Sequence, residues 1–272
     1  MNKDGTVDRL LRLMDQCQIA QAVCFAPFPH QCDGKGFEPN AWLSDTIKGN
    51  DRLLGFGTVD VRREDVADQV KRLHDLGMKG LKMHPNAQAF SILSPKIFNV
   101  YRAAERLGMF ITFHTGVHHS RMKQSRVIDF DEIAWEFPNL KFSMEHVGGY
   151  HFFPEALAVL FNHVPPPWET GESNVFAGLA SVFTTHQLRF WHLSRERLLE
   201  LVAQVGADQL IFGLDFPYNQ ERETLMGIET IQSLGLSDAD VDKVLGGNLR
   251  RALGLSQSPH AKPPSYLDPA ID

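Results

Sequence analysis

Four polar residues share one local setting along the chain. They are His84 before Pro85, His114 before Thr115 and Gly116, His146 before Val147, Gly148 and Gly149, and Asp215 before Phe216 and Pro217. Each closes a short apolar run and opens a turn. Imidazole and carboxylate together suit a borderline divalent ion such as zinc, which in catalytic sites keeps three protein ligands and one open position for water. Such an ion lowers the pKa of bound water toward about 7 and makes hydroxide available at neutral pH. One histidine at the end of an apolar run is more often structural, but four residues in the same register call for a shared explanation.

Residues this far apart meet only if the fold repeats. Seven runs rich in Val, Ile, Phe and Leu read as strands, starting at Gln21, Arg52, Lys79, Met109, Leu140, Val175 and Gln209, and so 27 to 35 residues apart. That interval holds one strand, one helix and two connections. Stripes of helical period lie between them: Val66, Val70, Leu73 and Leu76; Ile97, Tyr101, Ala104 and Leu107; Leu198, Leu201, Val202 and Val205. Each stripe is followed by a glycine, Gly77, Gly108 or Gly206, suited to a left-handed cap. Alternating strands and helices imply parallel pairing, and the leading architecture is an α/β fold of the (β/α)8 TIM-barrel type. A doubly wound open sheet is the alternative, but no G-x-G-x-x-G follows the first strand. In a parallel barrel all strand ends reach one rim, so the four polar residues converge there.

Alternation along the strands refines the roles. In GLKMHP, Lys82 and His84 share one face, with Leu81 and Met83 on the other; in QLIFGLDFP, Ile211, Gly213 and Asp215 share a face. His151, soon after the Gly148-Gly149 turn, is a third residue placed to contact substrate, beside Lys82 and His84. His118 and His119 read as exposed loop histidines.

Composition bounds the rest. The 272 residues suit one large domain, expected over residues 1–255, with a proline-rich tail at 256–272. A net charge of −6 without runs of one sign argues against nucleic acid as a partner. No apolar stretch nears the roughly 18 residues of a membrane span, and the first residues are not a secretory signal, so a cytoplasmic protein acting on a small molecule is expected. Cys17, Cys24 and Cys32 are odd in number, lack C-x-x-C spacing and read as reduced thiols.

The ordered series GLKMHP, ITFHTG, MEHVGG, FGLDFP and GGNLRRALGL resembles the amidohydrolase superfamily, in particular its amidohydrolase-2 branch of enzymes similar to aminocarboxymuconate semialdehyde decarboxylase. The similarity runs from about Asp8 to Leu255. It implies that His114 is the fifth-strand metal ligand, that Asp215 is the eighth-strand ligand and relays a proton, and that His146 is the sixth-strand histidine that polarises or protonates substrate. GLKMHP takes the place of the fourth strand. In some branches its lysine is carboxylated between two metals. His84 and Pro85 look more like the mononuclear branch, where Lys82 is an anchor for a substrate carboxylate or a structural lysine.

One part of the family pattern is absent. Its members open with a strand ending in His-x-His, which supplies two metal ligands, and no His-x-His occurs in this sequence. The expectation is a barrel without its first strand, with unpaired edges at the strands from Gln21 and Gln209, and with Met1 an internal start. The function expected is hydrolysis of an ester, lactone or amide by metal-activated water, with zinc the leading ion. Decarboxylation of an unsaturated or aromatic acid at the same site is the alternative. A metal-free, non-catalytic barrel is the reading from another class. A homodimer is expected by analogy with other barrels.

Overall fold

The computed structural model describes residues 5–32, 36–124, 126–166, 168–185 and 189–255. The tail expected at 256–272 lies outside the described residues. All seven apolar runs are strands: β1 (Ala22–Phe25), β2 (Leu53–Gly57), β3 (Gly80–Met83), β4 (Phe110–His114), β5 (Phe142–Glu145), β6 (Val175–Gly178) and β7 (Leu210–Ile211). They form one parallel sheet in chain order, β1 to β7. Parallel neighbours need a crossover. Helices supply it: α1 (Val7–Gln16) precedes β1, then α2 (Pro39–Ile47), α3 (Val66–Asp75), α4 (Pro95–Arg106), α5 (Phe130–Glu136), α6 (Gly149–Asn162) and α7 (Arg195–Val205) separate the strands, and α8 (Glu221–Gln232) follows β7.

Gly77 and Gly108 take the positive φ expected of them, +79° and +62°, at the ends of their helices; Gly206 also has a positive φ, +78°, but its ψ of 160° makes it an extended exit from α7 and not a left-handed cap. Val66, Val70 and Leu73 bury their stripe, whereas Leu76 sits past the end of α3 and is exposed. Inside the curl of the sheet, Phe56 of β2 meets Phe110 of β4 at 6.0 Å between ring centroids, and Phe110 meets Phe176 of β6 at 5.8 Å. Alternate strands thus fill one interior layer, as barrels of this type do. On the outer face Phe113, Phe130 and Phe142 interlock beneath the helices.

β7 is shorter than the run that encodes it. After Ile211 the backbone leaves the ladder, because the Phe212 N–H donates to the Val244 carbonyl (3.0 Å) instead of a strand neighbour. Gly213 and Asp215 therefore stand beyond the strand, and Asp215 takes φ +53°. Among the described residues β1 and β7 have no partner on their outer edges. Beside them α1 packs Leu10 and Met14 with Leu53, Leu214 and Phe216. A cavity of about 2170 Å³ opens here and runs along the rim from Phe25 past Lys82 and His114 to Asp215.

Candidate active site

His84, His114, His146 and Asp215 all line this cavity. His114 is the last residue of β4 and is buried, and its Nε2 has no hydrogen-bond partner. Its ring stacks on that of His84 at 3.8 Å between centroids and 13° between planes. Burial, reinforced by the neighbouring His146, His84 and Lys82, holds its pKa well below the usual histidine value.

His84 follows β3 directly. Its backbone N–H donates to Gln88 Oε1 (2.8 Å), and its Nδ1 accepts from the Ala87 N–H (3.2 Å). The neutral ring therefore carries its proton on Nε2. Burial, helped by His118, Lys82 and His146, brings its pKa down to about 2. His118 corrects the sequence reading. It is half-buried and sets its ring edge-on to His84 (4.3 Å) and to His114 (5.1 Å), while His119 is exposed as expected.

His146 begins a turn in which four successive residues have positive φ: His146 at 64°, Val147 at 48°, Gly148 at 72° and Gly149 at 65°. Two glycines are needed there, since a Cβ on Gly149 would stand 2.7 Å from the Phe190 carbonyl oxygen and one on Gly148 3.1 Å from Phe152 Cβ. The turn aims the imidazole across the rim, where Nδ1 lies 2.6 Å from the Ala180 carbonyl oxygen. Its ring stacks on Trp191 at 3.9 Å and 8°, and Trp191 is itself held by Nε1–H donation to the Val117 carbonyl (3.1 Å). Burial lowers the pKa of His146 to about 4, against the opposing pull of Asp215.

Asp215 is fixed by the end of β6. Ser181 Oγ donates to its Oδ2 (2.6 Å), and Asn219 Nδ2 donates to Ser181 Oγ (2.9 Å). Lys82 points into the cavity, its ammonium 5.3 Å above the Phe25 ring. Burial lowers its pKa, while Glu145 and Asp215 oppose that. His151 is exposed on α6, edge-on to Tyr150, and does not line the cavity; the structure separates it from the other expected residues.

Glu145, Ser181 and Trp191 were not anticipated from sequence. Glu145 is buried; its Oε1 accepts from Ser143 Oγ (2.7 Å). Burial raises its pKa, and Lys82 pulls it back. Its carboxylate occupies the space above Gly178, whose missing Cβ would stand 2.3 Å away. Alternation in FSME, with Ser143 and Glu145 facing inward, is a signal that could have found it.

The donor set bears on a metal directly. His114, with an orphaned buried Nε2, and Asp215, with one oxygen unclaimed by Ser181, fit two positions around a divalent ion. Among the described residues no group of three His, Cys, Asp or Glu side chains could hold one.

The family model for amidohydrolases matches residues 3–255. Among solved structures, an uncharacterized TIM-barrel protein from Bordetella bronchiseptica is 18% identical with a TM-score of 0.70, over 92% of this chain and 83% of that one. A dihydroxybenzoic acid decarboxylase from Polaromonas, with bound manganese and the inhibitor 2-nitroresorcinol, is 14% identical with a TM-score of 0.68, over 93% and 87%. A protein from Pseudomonas putida assigned as a 2-pyrone-4,6-dicarboxylic acid hydrolase is 17% identical with a TM-score of 0.62, over 92% and 88%. At these identities the likeness is one of fold.

Proposed function

The chain belongs to the amidohydrolase family, and on that premise we propose that it is a hydrolase acting on an ester, lactone or amide of a small molecule at the rim around His114, His146 and Asp215. The observation that carries this reading is the convergence of His114, with its unpartnered Nε2, and Asp215 on a cavity that also holds the imidazole of His146. A divalent ion bound by His114 and Asp215 would supply Lewis-acid polarisation and acidify water. Zinc suits imidazole and carboxylate donors, and manganese is the ion of the Polaromonas protein.

The chain's own groups divide the remaining work. Asp215 takes a proton from the attacking water and returns it to the leaving group. His146, through its Nε2 lone pair, takes the second proton of that water as the tetrahedral adduct collapses to a carboxylate product. Lys82 and the Nε2–H of His84 face the cavity as donors for an anionic group of the substrate. His118, edge-on to His84, limits the space beside it.

A second reading, decarboxylation of an aromatic or unsaturated acid, is favoured by Lys82. A cation held over the Phe25 ring on the cavity wall is placed to receive a carboxylate beside a flat ring. In that case His146 takes a proton at Nε2 from the incoming acid or from water and delivers it to the carbon that loses carbon dioxide. No described helix is long and apolar enough to cross a membrane, the three thiols are free, and a cytoplasmic homodimer completes the reading.

The test offers 2-pyrone-4,6-dicarboxylate and dihydroxybenzoic acid to the zinc- or manganese-supplemented protein. Loss of pyrone absorbance supports hydrolysis, and released carbon dioxide supports decarboxylation. Turnover that persists unchanged in both His146→Gln and Asp215→Asn overturns the assignment of the site.

A further inference from the structure

Two consecutive residues at the end of β6 touch both groups that the proposed function asks to move protons. The Ala180 carbonyl receives His146 Nδ1 at 2.6 Å, and Ser181 Oγ reaches Asp215 Oδ2 at 2.6 Å. Three features give these contacts a fixed direction. A carbonyl oxygen only accepts, so Nδ1 of His146 must carry hydrogen whatever the state of the ring. An amide NH2 only donates, so Asn219 Nδ2 occupies a lone pair of Ser181 Oγ and leaves the hydroxyl hydrogen for Asp215. Ser181 itself sits at φ +59°, a conformation that an L-residue holds only when its surroundings impose it.

The same segment is buttressed from below. Glu145, the residue before His146, lies buried over Gly178, braced by Ser143 Oγ, and the Ala180 backbone N–H favours its charged form. Residues 145 and 146 thus hold the two backbone polar groups of one residue: Glu145 faces the N–H of Ala180 and His146 its C=O. Asn219 also ties the far side of the element, since its Nδ2 donates to the Leu214 carbonyl (3.0 Å) just before Asp215.

We propose that the Ala180–Ser181 junction is the positioning element of this site, with Ser181 and Glu145 as positioning residues. It selects Nε2 as the one nitrogen of His146, and Oδ1 as the one oxygen of Asp215, that face a ligand in the cavity. The inference rests on the proposed role of this rim, but it concerns the resting protein and is readable without turnover. It changes what His146 offers. A neutral ring with hydrogen on Nδ1 presents a lone pair at Nε2, so it receives a proton first and donates only after it has been protonated.

The experiment is nuclear magnetic resonance on the full chain with 15N-labelled histidine rings and 13C-labelled aspartate carboxyls, the His146 and Asp215 signals being assigned with His146→Gln and Asp215→Asn. The wild-type protein at neutral pH is expected to show His146 as a single Nδ1–H tautomer. Ser181→Ala and Ser181→Gly both remove the hydroxyl, and glycine also removes any backbone strain; both should shift the Asp215 carboxyl signal to the same extent. Glu145→Ala should convert the His146 signal into a mixture of tautomers, and Glu145→Gln, which keeps an acceptor, should restore the single form. With any substrate that turns over, loss of one hydrogen bond to a charged group lowers kcat about tenfold or more in Ser181→Ala, with KM changed less than twofold. An Nε2–H tautomer in the wild type overturns the proposal. So does an Asp215 signal that stays in place in a folded Ser181→Ala, or a folded Glu145→Ala that keeps the single tautomer. Failure of every substrate, with the signals as expected, would count against the proposed function and leave this inference standing.

Discussion

From β3 to β5 the rim is held by rings and strands together: His84 lies on His114, His114 meets His146 edge-on, and His146 lies on Trp191. Four-residue ladders join β3 to β4 and β4 to β5 beneath them. On the other side, from β7 round to β1, β7 pairs only two residues with β6, β1 and β7 each have one edge without a partner among the described residues, and Asp215 stands beyond its strand on a left-handed residue. There the site depends on single hydrogen bonds from Ser181 and Asn219. One half of the rim is fixed by packing and the other by hydrogen-bond direction, and the two halves should respond to different insults.

The largest contrast is in stability. Phe113→Ala empties the aromatic cluster behind β4 and should cost about 4 kcal/mol. Val23→Ala, on the half-buried free edge of β1, should cost about 1 kcal/mol. Denaturant titration of both variants checks this, and equal losses would erase the distinction.

Acid comes next. His146 is buried neutral, its pKa depressed from 6.5 to about 4. The unfolded chain binds the extra proton first, so the stability His146 contributes is full above about pH 6.5 and is lost as pH falls toward 4. The amount is about 3 kcal/mol. His84 and His114 shift in the same direction and add to the loss. Melting temperatures measured from pH 8 to pH 4 should fall along this window, and a His146→Gln variant should fall less steeply. A flat profile would contradict the neutral, packed histidines.

Gly178→Ala probes the join between the halves. A Cβ there would stand 2.3 Å from the Glu145 carboxylate and force it from its niche, with a cost of about 2 kcal/mol. The smallest effect needs no substitution: amides of β1 and β7 should exchange with deuterium faster than those of β4 and β5, since one edge of each lacks a partner among the described residues. Equal protection across the sheet would mean that the free edges are no weaker than the centre.

The two halves also differed in how well they could be read. Periodicity revealed the seven strands, because parallel strands covered by helices are continuous apolar runs, and position at strand ends revealed His84, His114, His146 and Asp215. Lys82 fell on the inner face by simple alternation. His118 escaped because a loop histidine carries no periodic signal, and its place against His84 depends on the path of the β4–α5 connection. Ser181 escaped for a similar reason, since its partner lies 34 residues away and its backbone angle leaves no mark in the sequence. Nearness in sequence to the Gly148-Gly149 turn drew attention to His151, yet the helix that follows turns it outward. Alternation ends where a strand ends, and QLIFGLDFP leaves the ladder after Ile211.

His114 and Asp215, on opposite halves of the rim, are the two proposed metal donors. Equilibrium dialysis of the purified chain against zinc or manganese measures this directly. About one ion per chain is predicted for the wild type and for His151→Ala, with a loss of at least tenfold in affinity for His114→Ala and for Asp215→Ala. A His114→Ala protein that binds the ion as the wild type does, or a wild type that binds neither ion, would contradict it.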